Sequence, residues 1–170
     1  TDLVDFVYET NEGKYITTFP HENGVVSIRG YADSVAENLN MTQLAVWNKL
    51  YRTDILRSNK ISFPAQPLWE DACFVLDYLS CIESVSVLHK SMYHYMDVKT
   101  SATYRISEQE NDIHKQAIAS VLTHLDHFFE SADKRDAVTY QNHLQQVYQR
   151  VLELMNHPER LRAAILTAGR

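Results

Sequence analysis

The apolar and polar positions along this chain change period as they go, and each change predicts an element. The opening run Leu3-Val4-Asp5-Phe6-Val7-Tyr8 is rich in β-branched and aromatic residues. It stops at Asn11-Glu12-Gly13 and resumes at Tyr15, Ile16, Thr17, Thr18 and Phe19. β-formers on both sides of a glycine turn predict two strands. Asn23-Gly24 predicts a second turn, leading into a short strand over Val25, Val26, Ser27 and Ile28. Residues 33–40 predict a short helix capped by Asp33 or Ser34, and residues 53–59 another with Thr53 as its N-cap. Over residues 67–79, Ala72, Leu76 and Leu79 recur at the spacing of a core-facing helix, with Cys73 and Val75 beside them. Pro67 suits the entry to that helix. Residues 84–95 return to strand character, with Val85, Val87 and Met92 expected inward. From Ser107 onward the period is helical only. Ile113, Ile118, Val121, Leu122, Leu125 and Phe129 mark one long helix; Val138, Leu144, Val147, Val151 and Leu154 mark a second, which Pro158 ends.

These elements predict an α/β fold tending to α+β: a small sheet with flanking helices over 1–105, then an all-helical extension over 106–170. The 170 residues, 45% hydrophobic and 22% charged, suffice for one globular core. The net charge of -6, with no basic tract interleaved with aromatics, argues against a nucleic-acid partner. No apolar run approaches the roughly 18 residues of a membrane span, and the first residues lack a signal-peptide pattern. The chain begins on a strand without a methionine, which suggests a piece of something longer. Four glycines and no Gly-x-Gly-x-x-Gly or Gly-x-x-x-x-Gly-Lys leave no phosphate-cradling loop. Cys73 and Cys81 read as buried thiols in a reducing cytoplasm.

The candidate chemistry gathers at the start of the 67–79 helix. Glu70 and Asp71 follow Trp69 in its first turn. Acids there favour the positive end of the helix dipole, which is reason enough for their presence. Adjacent carboxylates also push one another's proton affinity apart, which suits acid/base work, so spacing leaves cap and base both open. Of the eight histidines, His124 and His127 share a helix face but lack an acidic partner at ligand spacing, and they read as core or solvated. His114 and His143 are similar. His94, at a strand end among tyrosines, is a candidate phosphate or sugar contact. Arg150, Arg160, Arg162 and Arg170 read as a solvated basic face, with an anionic membrane surface as the sharper alternative.

Two segments together carry a resemblance. Trp47-Asn48-Lys49-Leu50-Tyr51-Arg52, then Ile61 to Pro64, then Trp69-Glu70-Asp71 resemble the second half of a bacterial family 2 glycosyltransferase of GT-A fold. Residues 87–103 resemble the tyrosine-rich stretch that follows the acidic motif there, although Met96 stands where relatives often have arginine. The resemblance covers roughly residues 1–105. It implies that Asp71 is the general base of an inverting sugar transfer from a nucleotide-diphosphate donor to a saccharide acceptor. Glu70 would orient the acceptor or tune Asp71. Trp47 and Trp69 would line the acceptor side. Asn48 and Lys49 would face the cleft, with Lys49 neutralising the diphosphate, and His94 and Ser101 would lie near it. The family's Asp-x-Asp, which holds Mg²⁺ or Mn²⁺, is absent from this sequence. The resemblance therefore implies a C-terminal segment that alone lacks donor binding, metal binding and turnover.

Two function classes follow. One is a transferase segment acting in surface polysaccharide synthesis, in the cytoplasm or at the inner face of the membrane. The other is a non-catalytic module whose helical tail pairs with a partner or with a second copy. Whether the tail's apolar faces are covered within one chain discriminates the two.

Overall fold

A computed structural model describes residues 1–16, 23–38, 41–96, 111–133 and 136–156. Among the described residues five strands form one mixed sheet: β1 (Leu3–Thr10), β2 (Tyr15–Ile16), β3 (Gly24–Ser27), β4 (Lys49–Tyr51) and β5 (Ser84–Tyr95). β1 lies inside the sheet. β5 runs parallel along one edge of it, from Leu3 opposite Val85 to Thr10 opposite Tyr95. β4 pairs antiparallel with Leu3 to Asp5 and β2 with Tyr8 and Glu9, so both share the other edge. β3 adds to the far side of β5. The mixed α/β architecture agrees with the expected class.

The helices are α1 (Ile28–Asn38), α2 (Thr53–Ser58), α3 (Glu70–Leu79), α4 (Asn111–Ala132) and α5 (Ala137–Asn156), with a 3-10 turn at Met41–Leu44. One core joins the sheet residues Leu3, Val85 and Val87 to Tyr31 and Val35 of α1. The same core takes in residues Ala72–Leu76 and Leu79 of α3, Val121, Leu125, Phe128 and Phe129 of α4, and Val147 of α5. Every apolar residue expected on the inner stripe of α3 is buried, as periodicity requires. The helices beyond residue 106 therefore close the same core as the sheet. α4 covers Val121, Leu125, Phe128 and Phe129 within the chain and α5 covers Val147, although Ile113, Val138 and Tyr148 stay exposed.

Four local expectations need correction. α1 starts at Ile28 rather than near Asp33, because the Ser27 hydroxyl accepts from the Gly30 N–H and caps the helix. A Cβ on Gly30 would sit 3.2 Å from the Val26 side chain, so the glycine permits a close approach. The N-cap of α2 is Arg52, with Thr53 already in the helix. Met92 is 51% exposed rather than inward. Between the pairs Phe6–Leu88 and Tyr8–Tyr93, β5 carries three more residues than β1, and this bulge breaks the alternation. Cys81 is exposed, while Cys73 is buried.

Candidate functional site

Asp5 interrupts the apolar run Leu3–Tyr8 of β1, and its phase in the strand puts it on the same face as Leu3, toward the core. An ionised carboxylate there needs partners, and the fold supplies three. The Tyr31 hydroxyl donates to Asp5 Oδ2 at 2.8 Å, Asn48 Nδ2 donates to Oδ1 at 3.4 Å, and Lys49 Nζ lies 3.6 Å from Oδ2. Lys49 also donates to the Ala45 carbonyl at 3.0 Å and to Asn48 Oδ1 at 2.9 Å. Neither the Lys49 nor the Asp5 side chain has exposed surface. Burial pulls the Lys49 ammonium below the ordinary lysine range, opposed chiefly by Asp5. Burial and the Asp5 charge push the Tyr31 phenol well above its ordinary value.

Asp71 stands at the edge of this cluster. It is the second residue of α3, half-buried, and the Ala72 N–H donates to its Oδ1 at 2.8 Å. Burial pushes the Asp71 carboxyl above the usual aspartate range and the Glu70 charge adds to this, whereas the Ala72 N–H and the Lys49 charge hold it down. The Asp71 charge in turn acts on Lys49 and on Tyr51. Glu70 is half-buried beside it. The residue before them, Trp69, has φ 58° and ψ 24°, a left-handed conformation that a bulky side chain rarely adopts, and it offers no side-chain cap to the helix. Backbone held in this way accompanies functional turns, because surrounding packing must enforce it.

The other predicted site residues divide. Trp47 is half-buried and belongs to an aromatic cluster toward the other end of β1. It meets Tyr8 edge-on at 4.7 Å and lies over Tyr93 at 4.8 Å and Tyr95 at 5.2 Å. Beneath it the Tyr8 hydroxyl is buried without a hydrogen-bond partner among the described residues, and burial pushes its phenol up to about 12. His94 is exposed on β5, opposite Glu9. Trp69 packs, half-buried, against the core. Ser101 lies outside the described residues. Asn48 and Lys49 were expected to face a cleft, and this needs correction. Both are buried, and the lysine's ammonium is turned inward to Asp5, because desolvating Asp5 without a cation would cost several kcal/mol.

Asp5, Tyr31 and Tyr8 have no place in a reading by motif. Asp5 left one signal: a lone acid on the inward phase of an apolar strand must be paired or neutral. His124 does have an acidic partner, Asp77, 2.6 Å from its Nδ1. His143 bridges Asp133 and Asp33 at 2.9 Å each. Among the described residues no group of three His, Cys, Asp or Glu side chains is arranged to hold a metal ion, and no helix is long and apolar enough to cross a membrane.

No family model matches this chain, and no curated protein or solved structure matches it either.

Proposed function

We propose that this chain is the acceptor-side part of an inverting, nucleotide-sugar-dependent glycosyltransferase of the family 2 type, with Asp71 as its general base. The observation that carries the reading is the placement of Asp71. It is a half-buried carboxylate on a rigid helix terminus, with its proton affinity raised by burial and by Glu70. In the reaction an acceptor hydroxyl donates its proton to Asp71 as its oxygen attacks the anomeric carbon of the donor sugar. The bond from that carbon to the diphosphate breaks on the opposite face. A nucleoside diphosphate leaves, the configuration inverts, and the proton ends on Asp71. Glu70 orients the acceptor or raises the basicity of Asp71. Trp69 bounds the acceptor side, and Trp47 and His94 stand further along the sheet.

Among the described residues no group of three His, Cys, Asp or Glu side chains is arranged to hold Mg²⁺ or Mn²⁺. The donor and its metal fall to a nucleotide-binding half. Such an enzyme would extend a surface polysaccharide at the inner face of the membrane. A purely interacting helical module is the weaker reading, since α4 buries its main apolar face, and α5 its Val147, in the same core as the sheet.

The test is sugar transfer by the transferase carrying both halves, with Mn²⁺ and several nucleotide sugars, wild type beside Asp71→Asn. A loss of about a hundredfold or more in kcat is expected, within the range for removing a general base. Near-full activity in Asp71→Asn would reduce the acidic pair to a helix cap.

A further inference from the structure

Helix α3 presents Asp71 at its N-terminus without a side-chain cap, so something else must set the position of that turn. Three polar ties run from α4 to α3, in the same order along both helices. The Cys73 Sγ and Ser120 Oγ are 3.6 Å apart, His124 Nδ1 meets Asp77 Oδ1 at 2.6 Å, and the Ser131 hydroxyl donates to the Ser80 carbonyl at 2.7 Å. Together they grip roughly 10 Å of α3, from its second turn to its end. The first tie reaches further. Gln66 Nε2 donates to the same Cys73 sulfur at 3.5 Å and to the Leu68 carbonyl at 2.7 Å, so the loop entering α3 joins the chain of contacts. Burial keeps the Cys73 thiol above its ordinary range, hence neutral and able to donate and accept at once. The His124–Asp77 pair is part-buried, where a hydrogen bond to a charged group is worth more than at the surface.

We propose that α4 is a brace for the acceptor-side base: Asp77, His124, Cys73 and Ser120 are positioning residues that fix the first turn of α3, and with it the direction of the Asp71 carboxylate. This rests on the reading of Asp71 as base and extends it. The helical region beyond residue 106 is then part of the catalytic apparatus rather than an appendage. A displacement of about 1 Å at a reacting group can cost up to two orders of magnitude in rate, so a loosened brace should appear in kcat before it appears in binding.

The experiment uses the transferase with both halves and compares wild type, His124→Leu, His124→Gln, Asp71→Asn and the double variant His124→Leu/Asp71→Asn. Steady-state kinetics are read beside amide hydrogen exchange at Ala72 and Cys73. His124→Leu should lower kcat about tenfold with an unchanged donor KM and faster exchange at both amides. His124→Gln, which keeps an N–H donor for Asp77, should stay within about threefold of wild type. The double variant should be no slower than Asp71→Asn alone, because the brace acts through Asp71. Unchanged kcat per folded molecule in His124→Leu, or losses that multiply in the double variant, would overturn the brace. If wild type transfers no sugar from any donor, the transferase reading fails by itself, and exchange alone decides: unaltered protection at Ala72 and Cys73 in His124→Leu sinks the proposal.

Discussion

Asp5 and Asp71 both act on the Lys49 ammonium, and the fold treats them in opposite ways. Asp5 is enclosed, with a phenol, an amide and an ammonium turned toward it. Asp71 is left half-open on a helix terminus, with a backbone N–H as its near donor and a second carboxylate beside it. A caged carboxylate has its charge and geometry set by partners that cannot leave. A half-open one, with its proton affinity raised by burial, can exchange a proton with something that arrives. The contrast separates a structural ion pair from a candidate base, although both are aspartates near one lysine.

The largest expected effect breaks the cage. Lys49→Met leaves Asp5 buried without its cation and should destabilise the chain by about 3–5 kcal/mol in urea unfolding. Adding Asp5→Asn to Lys49→Met should recover part of that loss. A Lys49→Met chain as stable as wild type would show that the pair is not the anchor described. Next comes Asp71→Asn, whose expected loss of transfer, about a hundredfold, corresponds to about 2.7 kcal/mol of transition-state stabilisation.

Stability against pH sharpens the same comparison. The folded Asp71 carboxyl holds its proton to a higher pH than it does in the unfolded chain, where the value is about 4. Ionising it therefore costs the folded state, and this contribution to stability rises as pH falls through the window between the two values. Asp71→Asn should resist urea slightly better than wild type at neutral pH, with the difference vanishing in acid. A wild type that is the more stable at neutral pH would instead mark Asp71 as a stabilising cap. The smallest effect is at Trp69. Glycine accepts the left-handed backbone that alanine resists by roughly 1 kcal/mol, so Trp69→Gly should unfold at higher urea than Trp69→Ala.

Much of the fold could be read along the chain. The strand at Leu3–Thr10, the stripe on α3 and the two long helices follow from local period. Where reading failed, a distant partner had decided the matter. The start of α1 depends on the fit of Gly30 against Val26 as well as on a capping serine. Met92 turned outward because β5 slips against β1. The acidic pair was recognisable by its place before an apolar stripe, yet Lys49 was read as facing outward because its partner, Asp5, lies far away in sequence.

What the amino-acid order determined alone is the set of elements and the position of two acids at a helix start, because side-chain period and helix-end preferences act over a few residues. The tertiary structure decided which charges are enclosed and which stay open, and it brought α4 against the helix that carries Asp71. Asp5, Tyr31 and Lys49 come together only when β1, α1 and β4 pack, and the energetic demand of a buried charge is met or missed only at that stage.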